Sequence, residues 1–218
     1  MTSLSTADLR VVHVLRVRGF VDTPLVAEVA GMSVDEATSV LTALEAAGHA
    51  RHREGRMSGW MLTSDGRAHG EVLLAEELAG LGCRAEVEGA YSRFLEGNQG
   101  FLGLCTDWQL RPDPGDPSGE PVMNDHADPA YDEAVIGRLA ETDSAIQPVC
   151  AALAALLERF GGYGERFATA LDRVTGGDLD WFTKPMIESY HTVWFELHEN
   201  LLATLGIQRA KEKEHAAG

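Results

Sequence analysis

Residues 23–67 read TPLVAEVAGMSVDEATSVLTALEAAGHARHREGRMSGWMLTSDGR, and this stretch decides the fold. Thr23-Pro24 opens a short helix with proline in its first turn, where the missing N–H is no loss, and Gly31 closes it after Ala30. Ser33-Val34-Asp35-Glu36 is a capping box, with serine at the cap and glutamate three residues on to return the hydrogen bond. The helix behind it keeps Ala37, Val40, Leu41 and Leu44 on one face and stops at Gly48. His49–Arg53 and Gly59–Leu62 form two short strands around a turn at Glu54–Ser58. Leu62-Thr63-Ser64-Asp65-Gly66-Arg67 then caps a long helix over about 64–81.

Upstream, Ser5-Thr6-Ala7-Asp8 starts a further helix, with Ser5 as N-cap and Asp8 placed to favour the dipole. Leu9, Val12, Val14 and Leu15 give it an apolar face, and Gly19 ends it. Helix, short helix, turn, helix, two-stranded wing and helix resembles a winged helix-turn-helix of the MarR-like branch over residues 5 to about 80. Three stretches carry the likeness: Leu25–Ser33 as second helix and turn, Leu41–Ala50 as the recognition helix passing into the wing, and Leu62–Arg67 as the exit from it.

The resemblance implies a sequence-specific transcriptional regulator that binds double-stranded DNA. The recognition helix would enter the major groove with Ser33, Thr38, Ser39 and Thr42 near base edges, while Arg51, Arg53 and Arg56 of the wing hold phosphates. Two features depart from the family. Ser33–Ala47 holds no Lys or Arg but three acids, Asp35, Glu36 and Glu45, whereas the family supplies cations there or in the wing. The family's dimer-building helix before the winged region is not expected here, so a homodimer, if formed, is expected to use helices after residue 70. The alternative is a winged-helix interaction module that docks protein and does not bind DNA.

Charge sharpens this division. The 218 residues carry 18 Lys+Arg against 34 Asp+Glu, a net of −16. Residues 1–68 hold seven basic and eight acidic side chains, and residues 69–218 hold 11 and 26. The acidic remainder repels phosphate, so only the first third suits nucleic acid. Hydrophobic residues at 44% and charged residues at 24% fit a folded globular protein. No apolar run reaches the roughly 18 residues of a membrane span, and no basic-then-apolar leader opens the chain, so the expectation is a soluble, cytoplasmic protein with no membrane contact. Cys83, Cys105 and Cys150 are too few and too far apart for a disulfide framework or a thiolate zinc site.

The overall expectation is a mainly α fold with a small two-stranded β-wing. Residues 1–70 form the winged domain, and residues 71–218 form an acidic, all-helical domain for dimerisation and effector binding. Helices are expected over 71–98 with a break near Gly80–Gly82, then over about 129–141, 143–160, 162–174 and 185–205. Arg111–Pro121, with four prolines, reads as a loop, Asp128-Pro129 restarts a helix, and Lys211–Gly218 is a charged tail.

On the last helix Tyr190, His191, Trp194 and His198 make a polar-aromatic stripe, and Trp108 adds a second patch. These five are the candidate contacts for a small-molecule effector, set against the plainer role of core or dimer seam. Glu188 and His191 have the spacing of a bundle metal pair, with His126 as a distant contributor, but no second such pair occurs and no metal is expected. No P-loop, Gly-x-Ser-x-Gly, Gly-x-Gly-x-x-Gly or His-Glu-x-x-His motif appears, so neither an enzyme nor a bound cofactor is expected. Gly161–Gly164 reads as a turn, and Asp107, Asp125, His126 and Asp128 have no spacing that requires an acid–base site.

Overall fold

The computed structural model describes residues 5–55, 58–116 and 118–208. The protein is mainly helical with two small antiparallel sheets. It divides into two compact units. One comprises residues up to Glu88 with Ala155–Phe160 and Glu196 onward, and the other comprises Gly89–Ala154 with Gly161–Phe195. Residue 70, the boundary drawn from the sequence, lies within a helix of the first unit.

In the first unit α1 (Ala7–Arg18), α2 (Thr23–Ala30) and α3 (Val34–Ala46) precede a hairpin of β1 (Ala50–Arg53) and β2 (Gly59–Leu62), followed by α4 (Ser64–Leu81). The local chemistry sets each end. Thr6, one residue beyond the expected Ser5, accepts from Leu9 N–H, and Asp22 accepts from Leu25 N–H. Ser33 and Glu36 complete the capping box in both directions. Val11, Val12, Leu15, Val26, Ala37, Leu41, Leu44 and Trp60 form the core. Burying each large member contributes about 1.5–3 kcal/mol. Trp60 exchanges backbone bonds with Val21, and its indole N–H donates to Thr23 at 3.0 Å, which ties the hairpin to the start of α2.

The turn into α4 explains its sequence. Thr63 accepts from Gly66 N–H and donates to the Gly48 carbonyl at 2.7 Å. A Cβ on Gly66 would lie 1.8 Å from the His49 carbonyl oxygen, so only glycine permits this approach of α4 to the chain entering β1. The same unit contains the buried ion pair Arg159–Glu77, with Ser5 also donating to Glu77 and Thr204 accepting from Arg159. Arg16 pairs with Glu199 at 3.4 Å and Arg18 with Glu196 at 2.9 Å.

The helix α5 (Arg84–Gln109) begins after the expected break, where Gly82 takes a left-handed conformation. In the second unit it is joined by α6 (Pro129–Leu156), α7 (Tyr163–Thr175), a short α8 (Asp180–Thr183) and the start of α9 (Tyr190–Leu205). Four details correct the sequence reading. First, α6 runs unbroken through residue 142 and past Pro148 to Leu156. Second, residues 71–218 are not wholly helical. Leu110–Arg111 (β3) pairs with Val122–Met123 (β4) and closes the proline-rich loop. The last carbonyls of α5 need partners, and Tyr131 Oη donates to the Asp107 and Leu110 oxygens while Asn124 Nδ2 donates to the Trp108 oxygen, drawing the returning chain alongside. Third, α9 starts at Tyr190 rather than near 185, because Met186 has φ +68° and Ser189 accepts from Thr192 N–H. Fourth, α8 was not anticipated. No helix among the described residues is long and apolar enough to cross a membrane.

Candidate functional site

The outward side of α3 is exposed at Asp35, Glu36, Thr38, Ser39, Thr42 and Glu45. Thr38 Oγ1 donates to the Val34 carbonyl at 2.7 Å, Ser39 Oγ to that of Asp35 at 2.9 Å and Thr42 Oγ1 to that of Thr38 at 2.8 Å. Each hydroxyl proton satisfies its own helix, and the exposed oxygen keeps lone pairs with which to accept. Ser33 is committed to the cap, donating to Glu36 Oε2 at 2.7 Å. Hydrogen bonds from the Ser33 backbone and hydroxyl hold the Glu36 carboxyl below the usual carboxylate range.

Arg51 and Arg53 stand two residues apart on β1, so their side chains leave the same strand face, and both are exposed. Neither has an ion-pair partner among the described residues. Between them the His52 ring lies against the Trp60 ring, with centroids 4.6 Å apart, and the His52 backbone N–H donates to Glu45 Oε1 at 3.0 Å. That bond fixes the hairpin to the end of α3. Arg56 lies outside the described residues, and Arg67 is exposed on α4. The other cations of the first third hold structure: Arg10 caps α2 through the Ala30 and Gly31 carbonyls, and Arg16 and Arg18 are paired as above.

The five aromatic and histidine candidates fall into three surroundings. Tyr190 and Trp194 belong to a ring cluster with Phe94, Phe101 and Phe167, in which Trp194 lies 4.3 Å from Phe101 and 5.0 Å from Phe94. The Trp194 indole donates to Asn98 at 2.9 Å. Tyr190 donates to the buried carboxyl of Asp143 at 3.3 Å; burial first, and then the Asp143 charge, raise the phenol pKa. Burial likewise raises that of Asp143, against hydrogen bonds from Gln147 and Tyr190. His191 is half-buried, and burial lowers its pKa. His198 is buried in the first unit. Trp108 packs separately against His126 and Phe182, at 4.4 and 4.6 Å.

Around Trp108 the sequence pointed to His126 but not to its supports. His126 Nδ1 bonds Asp132 Oδ2 at 2.9 Å, and Asn124 Nδ2 donates to Asp132 Oδ1 at 2.9 Å. Asp132 sits in the first turn of α6 and reads in the sequence as an ordinary dipole-favouring acid. Arg111 pairs with Asp125 at 3.0 Å, and Glu188 pairs with Arg166 at 2.6 Å. Among the described residues no group of three His, Cys, Asp or Glu side chains is placed to hold a metal ion. Comparison with family models, curated proteins and solved structures finds no match to the chain.

Proposed function

We propose that the chain is a dimeric, sequence-specific DNA-binding transcriptional regulator built on a MarR-like winged helix-turn-helix. The observation that carries this reading is the pair Arg51 and Arg53, exposed on one face of a hairpin that Glu45 fastens to the end of α3. In this reading α3 lies in the major groove, where the Thr38, Ser39 and Thr42 oxygens accept from base amino groups, and the wing cations hold the phosphates on either side. The acidic second unit repels phosphate and leaves the contact to the first, and the helices after residue 70 build the dimer. A small-molecule effector bound there shifts DNA affinity by its differential affinity for two dimer arrangements.

A second reading rests on α2 and α3 themselves. Asp35, Glu36 and Glu45 repel phosphate, and Leu25, Val29 and Val34 are 37%, 45% and 49% exposed. An acidic, partly apolar face of this kind suits a protein partner. Fluorescence anisotropy of the purified protein on a duplex from directly upstream of its own gene, beside a scrambled duplex, separates the two. Saturable selective binding supports the regulator, and its absence at low salt from a folded protein supports the interaction module.

A further inference from the structure

The second unit carries a groove of about 570 Å³. It runs between α5 and α6, and its floor is the aromatic cluster at Phe94, Phe101 and Trp194 with Leu104, Ile146 and Val149. Two glycines keep it open. A Cβ on Gly100 would meet nothing within 4 Å, and one on Gly97 would reach only the Trp194 ring edge at 3.6 Å. Side chains there would fill the slot. Its volume is that of pockets which enclose drug-sized molecules.

The rim decides the charge of the occupant. Arg93, Glu96, Arg138 and Glu141 line it. Arg138 pairs with Asp107 at 2.7 Å, and Arg93, Glu96 and Glu141 together with that pair sum to one negative charge. The surrounding residues of this unit, 89–154 and 161–195, hold 16 acidic and 6 basic side chains. An apolar slot in a negative field favours organic cations and repels anions of the same shape. We propose that this groove binds an elongated, flat, apolar organic cation, with its rings over Gly97 and Gly100 and its charge at Glu96 and Glu141. The inference deepens the effector part of the proposed function, but it does not depend on α3 meeting DNA.

The test uses the full chain, without DNA, and two xanthene dyes of opposite charge: rhodamine 6G and fluorescein. Fluorescence polarisation is expected to give saturable rhodamine 6G binding with fluorescein at least about tenfold weaker. Glu141→Gln is expected to weaken the cation by about three- to tenfold and leave fluorescein no weaker. Gly100→Leu, which adds a side chain into open space and raises helix propensity, is expected to abolish binding while circular dichroism stays unchanged. Equal binding of both dyes, or rhodamine binding untouched by Gly100→Leu, overturns the proposal. So does a dimer that Gly100→Leu converts to monomer in sedimentation, because the groove is then the seat of a second copy. Failure of dye binding beside intact DNA binding would sink the cation site and leave the regulator standing.

Discussion

Acidification from about pH 7.5 to about pH 5 is expected to weaken the first unit through a single side chain, His13. It sits on α1 at 6% exposure, and neither ring nitrogen meets a well-formed hydrogen-bond partner. Burial, reinforced by the Arg159 charge, pulls its pKa from 6.5 down to about 3; the Asn200 side chain opposes this weakly and Arg16 adds a little. The unfolded chain therefore takes up a proton below about pH 6.5 that the folded chain refuses until about pH 3. The native state has its full stability above that window and loses it as the pH falls, by about 1.4 kcal/mol per unit. Down to pH 5 the loss from this residue is about 2 kcal/mol, a large share of the 5–15 kcal/mol typical of a domain. Urea unfolding of wild type and His13→Leu across this range isolates the effect, since all other titrating groups are common to both. The Leu variant is expected to gain on wild type by about 2 kcal/mol between neutral pH and pH 5. Parallel curves, differing by a constant, would refute the burial argument.

Other consequences follow from single positions. Ser33→Ala removes one half of the capping box and is expected to cost about 1 kcal/mol in urea unfolding at neutral pH. Gly66→Ala drives a methyl into the His49 carbonyl and is expected to cost more than about 3 kcal/mol, read as a large fall in the thermal midpoint; a tolerated alanine would contradict the close packing of α4 on the His49 backbone. Burial pushes the Cys105 and Cys150 thiols up to about 12, and raises that of Cys83. A thiol reagent at mildly alkaline pH is therefore expected to react slowly with the native protein and rapidly with all three cysteines in urea.

Local chemistry made the first unit legible. The capping box, the glycine stops and the Thr63–Gly66 turn each act within a few residues, so their spacing is visible before folding, and α2, α3, β2 and α4 lie where that spacing places them. The second unit was harder to read because its ends depend on distant partners. Pro148 marks a stop by local rules, yet α6 continues through it, and the β3–β4 pair sits where Tyr131 and Asn124 take up the loose carbonyls of α5. The histidine and aromatic stripe of α9 follows helical spacing, but Tyr190 and Trp194 belong to one unit and His198 to the other. Likewise, Arg16 and Arg18 look no different in sequence from Arg51 and Arg53. Their carboxylates at Glu199 and Glu196 lie some 180 residues on, and only the fold distinguishes structural cations from available ones.

Whether Arg51 and Arg53 hold phosphates beside a DNA-reading α3 is decided by the salt dependence of affinity for the upstream duplex, measured for wild type and for Arg51→Ala/Arg53→Ala. A dimer loses four cations in the variant, so the slope of log K against log salt is expected to become shallower by about 3 to 4, with weaker binding to all sequences alike. An unchanged slope, or no selective binding by the wild type at low salt, would contradict that role.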